Sequence, residues 1–245
     1  MEISRCERLF EFIGVRQDDV MWISRRSGSA GEPPSAEQLE QWRGRMSPPE
    51  YEFPAGVGVT VLLGRTDDAA VGLTNVEAFS TGFRFTLAVR VRQPRPQFAR
   101  GGLHMLISSH VHPGIDVPLE DRLLLGIEYP DGRRASTLTD MRVHGPGAMT
   151  DREQLALVQQ GGGGGEHSVD QSYWVAPLPP EGLVTVVLAW PGFGIQESRT
   201  TLDGAAIRAA ASHSQRLWPP QPATEPPEPP PPPRPSSGWF AEPPS

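Results

Sequence analysis

Apolar and polar residues alternate over Phe83, Phe85, Leu87, Val89 and Val91, with Arg84, Thr86, Ala88, Arg90 and Arg92 between them. A period of two is the signature of a strand with one face buried, here with an outer face that carries guanidinium groups. The stretch from Leu123 to Tyr129, then Pro130-Asp131-Gly132, then Ala135 to Leu138 predicts a hairpin, because Asp-Gly suits a turn with positive φ. Further strands are expected at Val57–Leu63, Val71–Phe79, Tyr173–Ala176 and Leu183–Trp190. The last is apolar at nearly every position and predicts a central strand. One helix is signalled late in the chain, with Asp203 as N-cap and Ile207, Ala210, Ala211 and Leu217 on one face.

Short strands broken by Gly and Pro, with a single helix near the end, predict a mainly β protein: an antiparallel β-sandwich spanning residues 56–218. Residues 1–55 read as a mixed helical and loop segment. Ile3, Leu9, Phe10 and Ile13 could share one helical face, and Ser35 with Gln38 suggests a capped second helix carrying Leu39 and Trp42. Residues 219–245 change character again. A run from Pro229 to Pro233 and the pair Trp239-Phe240 sit in polar surroundings, which predicts a disordered tail that is locally polyproline II.

Composition sharpens this division. The chain of 245 residues holds 28 prolines and 26 glycines, and only 37% of it is hydrophobic, so a folded core with low-complexity attachments is expected. Every Lys/Arg position is arginine, which excludes Schiff-base lysines, Ser–Lys hydrolases and the phosphate-binding lysines of kinases and P-loops. The glycine run Gly161–Gly165 is followed by Glu166, and reads as a flexible connecting loop rather than a phosphate cradle. A net charge of −7 argues against nucleic acid as a partner. Cys6 is alone, so neither an internal disulfide nor a multi-cysteine zinc site is available. Charged residues interrupt the first dozen positions and no apolar run is long enough to cross a bilayer, so the expectation is a cytoplasmic protein without membrane insertion.

Candidate chemistry is sparse. His104, His110 and His112 with Asp116 could hold a divalent metal, since His110 and His112 on a strand would share a face. That cluster resembles the first cupin motif, in which H-x-H precedes an acid on a jelly-roll sandwich. It departs from that motif at His104, in having Asp116 for glutamate, and in lacking a later His–Asn partner. Asp116, Glu120 and Asp121 could be read as an acid–base set, and Arg84, Arg90, Arg92, Arg95 and Arg100 as a basic stripe or as charges that discourage edge-to-edge pairing.

The tail carries the clearest interaction signal. Pro229, Pro232 and Arg234 match a polyproline ligand whose arginine sets binding direction, and Trp239 and Phe240 are aromatic anchors with no core to join.

The segment Tyr173-Trp174-Val175-Ala176-Pro177-Leu178-Pro179-Pro180-Glu181-Gly182, with Ala189-Trp190-Pro191, Gly194-Ile195, Ala209-Ala210-Ala211 and Leu217-Trp218-Pro219, resembles uncharacterised proteins common in high-GC actinobacteria. The resemblance covers roughly residues 57–219 and implies no activity and no site residue. Trp174, Trp190 and Trp218 are expected to pack in or beside the core. The expected function is therefore a non-enzymatic interaction or scaffold protein, needing no cofactor, with a protein partner bound through the tail. A metal-dependent jelly-roll enzyme is the alternative. A sandwich that binds carbohydrate or peptide through exposed aromatics is a third reading.

Overall fold

The computed structural model describes residues 42–93, 102–108, 117–138 and 154–219. Strands dominate, all paired antiparallel. The larger sheet runs β2 (Ala55–Gly56), β4 (Ala69–Ala78), β5 (Phe83–Val91), β9 (Ser168–Ala176), β8 (Ala156–Gly164), with β3 (Val61–Arg65) also on β4. The smaller runs β11 (Ile195–Asp203), β10 (Leu183–Trp190), β6 (Leu124–Glu128), β7 (Arg134–Ser136). A short ribbon joins β1 (Glu52–Phe53) to β12 (Gln215–Arg216). Among the described residues neither large sheet closes on itself as a barrel. Among the described residues no helix is long and apolar enough to cross a membrane.

The alternation in β5 turns Phe83, Phe85, Leu87, Val89 and Val91 into one buried row. That row merges with Leu125 and Ile127 of β6 and with Val184, Val186, Leu188 and Trp190 of β10 in a single core. Each such side chain contributes on the order of 1.5–3 kcal/mol by leaving water. The β6–β7 hairpin forms as the Asp-Gly signal predicts, with Gly132 at positive φ. Asp203 caps the Gly204–Ala211 helix, its Oδ1 accepting the Ala205 N–H at 2.8 Å. That helix stops at Ala211, so Leu217 is not on its face; Leu217 instead donates its N–H to the Tyr51 carbonyl at 2.9 Å.

Four expectations are corrected. The arginines of β5 cannot guard an edge, because β5 lies inside its sheet between β4 and β9. They form cross-strand ion pairs instead, Arg84 with Glu77 at 2.6 Å and Arg90 with Asp170 at 2.7 Å. Exposed pairs of this kind contribute at most about 1 kcal/mol. β10 is an interior strand as expected, yet only one face is sealed: Thr185, Val187 and Ala189 are half-exposed.

The third correction is the glycine run. Gly161–Gly164 complete β8, and only Gly165 lies in the turn to β9. A register shift between Gln159 and Gly162 frees carbonyls there, and the buried Gln171 amide serves them. Its Nε2 donates to Gln160 O at 2.7 Å and to Gly161 O at 3.2 Å. The fourth concerns tryptophan. Trp174 and Trp190 are fully buried, whereas Trp218 is exposed. Trp174 points away from the main core. It forms a second cluster with Trp42, Met46, Phe79, Ala156, Val158 and Ala176, which ties the helical residues 42–46 onto the back of the large sheet.

Candidate functional site

The β1–β12 ribbon positions the most exposed aromatic group among the described residues. Its register pairs Glu52 with Arg216 and Phe53 with Gln215. Glu52 is buried, and its carboxylate accepts the Ser80 N–H at 2.5 Å and the Ser80 hydroxyl at 2.6 Å. Extended backbone alternates its side chains, so turning Glu52 inward turns Tyr51 and Phe53 outward together. They are 47% and 60% exposed. Trp218, 56% exposed, stands edge-on to Tyr51 with ring centroids 5.7 Å apart and planes at 83°. Tyr51 and Trp218 meet at a corner rather than in a flat platform, and Phe53 is exposed two residues along from Tyr51; these rings are called the ledge below. Glu50 and Arg216 are exposed, and neither forms an ion pair with a described residue.

Everywhere else in the described fold the large rings are hidden. Phe83, Phe85, Tyr173, Trp174 and Trp190 are fully buried, and Phe85 stacks on Tyr173 at 5.6 Å. The exposed leucines Leu62, Leu119, Leu138 and Leu183 come from four separate places in the chain, and isolated exposed apolar residues are ordinary. A run of aromatic rings held in water is not.

Glu52 is the pivot of this arrangement, which gives a direct test. Glu52→Ala strands the Ser80 N–H and removes the inward anchor. The expected loss is about 1–3 kcal/mol of unfolding free energy, read from denaturant midpoints. A neutral result would mean that the ribbon is not held by that carboxylate.

The other sequence candidates lie away from the ledge or beyond the described chain. His104 sits on the Gly102–Ile107 helix, partly buried, its carbonyl accepting the Ser108 N–H at 3.0 Å. His110, His112 and Asp116 lie outside the described residues, as do Pro229, Pro232, Arg234, Trp239 and Phe240. Among the described residues no three His, Cys, Asp or Glu side chains come together as metal ligands. Glu120 and Asp121 belong to a 3-10 turn, where the Asp121 carbonyl accepts the Trp190 indole N–H at 2.9 Å.

Titration behaviour points to structure rather than chemistry. Burial raises the Tyr129 and Tyr173 phenols well above their ordinary range, keeping both neutral. Tyr129 donates its hydroxyl to the Pro177 carbonyl at 2.5 Å, and Tyr173 donates to the Ile107 carbonyl at 3.4 Å. At the β6–β7 turn, a hydrogen bond from Arg133 holds the Asp131 carboxyl below the usual carboxylate range.

Compared with known proteins, the chain matches no family model, no curated protein and no solved structure.

The ledge was missed from sequence because Tyr51-Glu52-Phe53 reads as aromatics in and carboxylate out. One usable signal was present: Pro48, Pro49 and Pro54 bracket these residues and isolate them from any long strand.

Proposed function

We propose that this protein is a non-enzymatic interaction module: an antiparallel β-sandwich that presents an aromatic ledge for extended, proline-containing polypeptide. Its tail is a docking element for a protein partner, through Pro229, Pro232, Arg234, Trp239 and Phe240. The observation that carries the ledge is the exposure of Tyr51, Phe53 and Trp218 when the other large rings among the described residues are buried.

Ring geometry favours this ligand class. Tyr51 and Trp218 meet edge to face and so offer no coplanar platform, whereas a flat sugar face stacks best on one. Tyrosine and tryptophan combine large apolar area with little rotamer freedom to lose. A polyproline II ligand is already ordered before it binds, so modest contacts suffice.

The test is titration of the full chain with a panel of P-x-x-P decapeptides, followed by calorimetry. Alanine at both Tyr51 and Trp218 should weaken the best peptide at least about tenfold, the effect of losing a contact centre. The denaturant midpoint should stay near that of the parent chain. If no panel peptide bound, or if the double variant bound as well as the parent, the ledge reading would be wrong. Metal content measured on the same preparation addresses the jelly-roll alternative: stoichiometric metal, lost on changing His110 and His112 to alanine, would replace this proposal.

A further inference from the structure

β8 is the last strand of the larger sheet, and among the described residues no strand pairs with its outer side. Its second half, Gly161–Gly164, is exposed, as is Gly165. The adjoining hairpin fixes which way the backbone points there. Gly165 donates its N–H to the Ser168 carbonyl at 2.8 Å, which makes 165 and 168 a hydrogen-bonded pair. In an antiparallel ladder such pairs alternate with pairs whose N–H and C=O groups point away from the partner strand. Gly164 opposite Val169 and Gly162 opposite Gln171 are of that second kind. Gly162 and Gly164 therefore aim their N–H and C=O groups out of the free edge into water, and no described residue bonds them.

Other outer strands are guarded. β11 carries Glu197 and Arg199, β7 begins with Arg134 and β3 ends with Arg65, charges of the kind that keep an edge from pairing with another chain. β8 has neither a charge nor a proline in its nine residues. Folding accounts for only some of its glycines. A Cβ at Gly162 or Gly164 would collide with β9. At Gly161, Gly163 and Gly165 it would meet no described atom within 4 Å, and none of these three is left-handed. Glycine in a strand where a side chain has room marks a place where another backbone comes close.

We infer that this edge pairs with the same edge of a second copy of the chain, antiparallel about a two-fold axis at Gly163. The outward-pointing groups set the register. Gly162 faces Gly164 of the partner subunit, Gly164 faces Gly162 of the partner subunit, and the two copies of Gly163 meet on the axis. Each facing pair exchanges both of its backbone bonds. A contact of this symmetry closes on itself and stops at a dimer. Charge favours the same direction. The segment 42–46 lies along the first half of β8, tied by Arg45 to the Gln154 carbonyl and by Gln160, whose Nε2 donates to the Met46 carbonyl at 2.8 Å. In the two-fold register the exposed Glu166 at the hairpin tip comes level with Gln160 of the partner subunit, and so with the segment that carries Arg43 and Arg45. Parallel pairing would set Glu166 beside Glu166 instead. The dimer contact needs none of Tyr51, Phe53 or Trp218.

The test uses the full chain, labelled with nitrogen-15, over a hundredfold range of concentration. Sedimentation equilibrium reads the mass, and amide hydrogen exchange reads the edge. Mass should rise from one chain to two, while the Gly162 and Gly164 amides come to exchange about tenfold more slowly. Two variants accompany the parent. Gly163→Lys uses the open space at that position and sets like charges face to face on the axis. It should remain a single chain, with fast exchange at both amides and the parent's circular dichroism. Glu166→Arg, at the exposed tip, leaves the ladder intact and should weaken the dimer several-fold at low salt. A parent that stays single with both amides unprotected at every concentration would overturn the contact. A dimer that leaves Gly162 and Gly164 exchanging freely would overturn it too, since another surface would be holding the copies together. Protection of both amides in a single chain would do the same, by assigning the edge to residues of its own chain. So would a dimer that neither variant weakens.

Discussion

Replacing Trp190 by alanine is expected to lower the unfolding free energy by about 3–5 kcal/mol. Trp190 ends β10 with no exposed surface and packs on Phe193, ring centroids 4.1 Å apart. Its indole N–H donates to the Asp121 carbonyl at 2.9 Å. One side chain therefore joins the end of β10, the following turn at Pro191–Phe193, and the turn at Leu119–Asp121. Those turns already touch, because a Cβ on Gly192 would meet the Asp121 backbone at 3.1 Å. Alanine would open a cavity between three elements whose backbones have little room to collapse. Trp190→Phe keeps most of the ring and loses the hydrogen bond, so its cost should be smaller than that of alanine. Trp218→Ala should cost less than about 1 kcal/mol, since that ring already stands in water. Urea midpoints at constant m-value give all three. A Trp190→Ala loss below about 1 kcal/mol would show that the site relaxes and that the three elements are not held by this residue.

Much of this architecture was legible because burial on one face writes a period of two. β5, the β6–β7 hairpin and the N-cap at Asp203 could be read directly from side-chain type. β11 could not. Its inner positions include Ser198 and Thr200, its outer ones Glu197, Arg199 and Thr201, and only Ile195 and Leu202 are apolar and buried. An edge strand in that composition has no hydrophobic signal to detect.

Trp174 is buried as expected, but against partners the sequence did not show. It faces away from the main core, so its burial depends on the distant residues Trp42 and Met46, which local patterning does not connect to it. The ledge was hidden by a single inversion. A carboxylate between two aromatics is normally the solvent-facing member, and here two bonds from Ser80 hold Glu52 inside. Side-chain type alone cannot report such a partner 28 residues away.

The glycine run offers the sharpest test of strand against loop, because its members should respond with opposite signs. Gly164 pairs with Val169, and a Cβ there would run into the Ser168 carbonyl and lie 2.6 Å from the Val169 Cα. These are backbone atoms of the paired strand, so relief requires the β8–β9 ladder to part. Gly164→Ala should therefore destabilise by about 1–3 kcal/mol, the ordinary range for overpacking. At Gly163 nothing lies within 4 Å of a Cβ, and the backbone is not left-handed. Alanine there removes freedom from the unfolded chain without strain and should stabilise by about 0.4–1 kcal/mol. Gly162 separates the two cases mechanistically. Its Cβ would sit 2.5 Å from Gln171 Oε1, displacing the amide that serves the Gln160 and Gly161 carbonyls. Gly162→Ala should then cost more than van der Waals crowding alone, because freed carbonyls add to it. A flexible loop would accept alanine at all three positions with one sign and similar size. Opposite signs at 163 and 164 require instead that the run is strand, with glycine needed at 162 and 164, where β9 comes too close for a side chain.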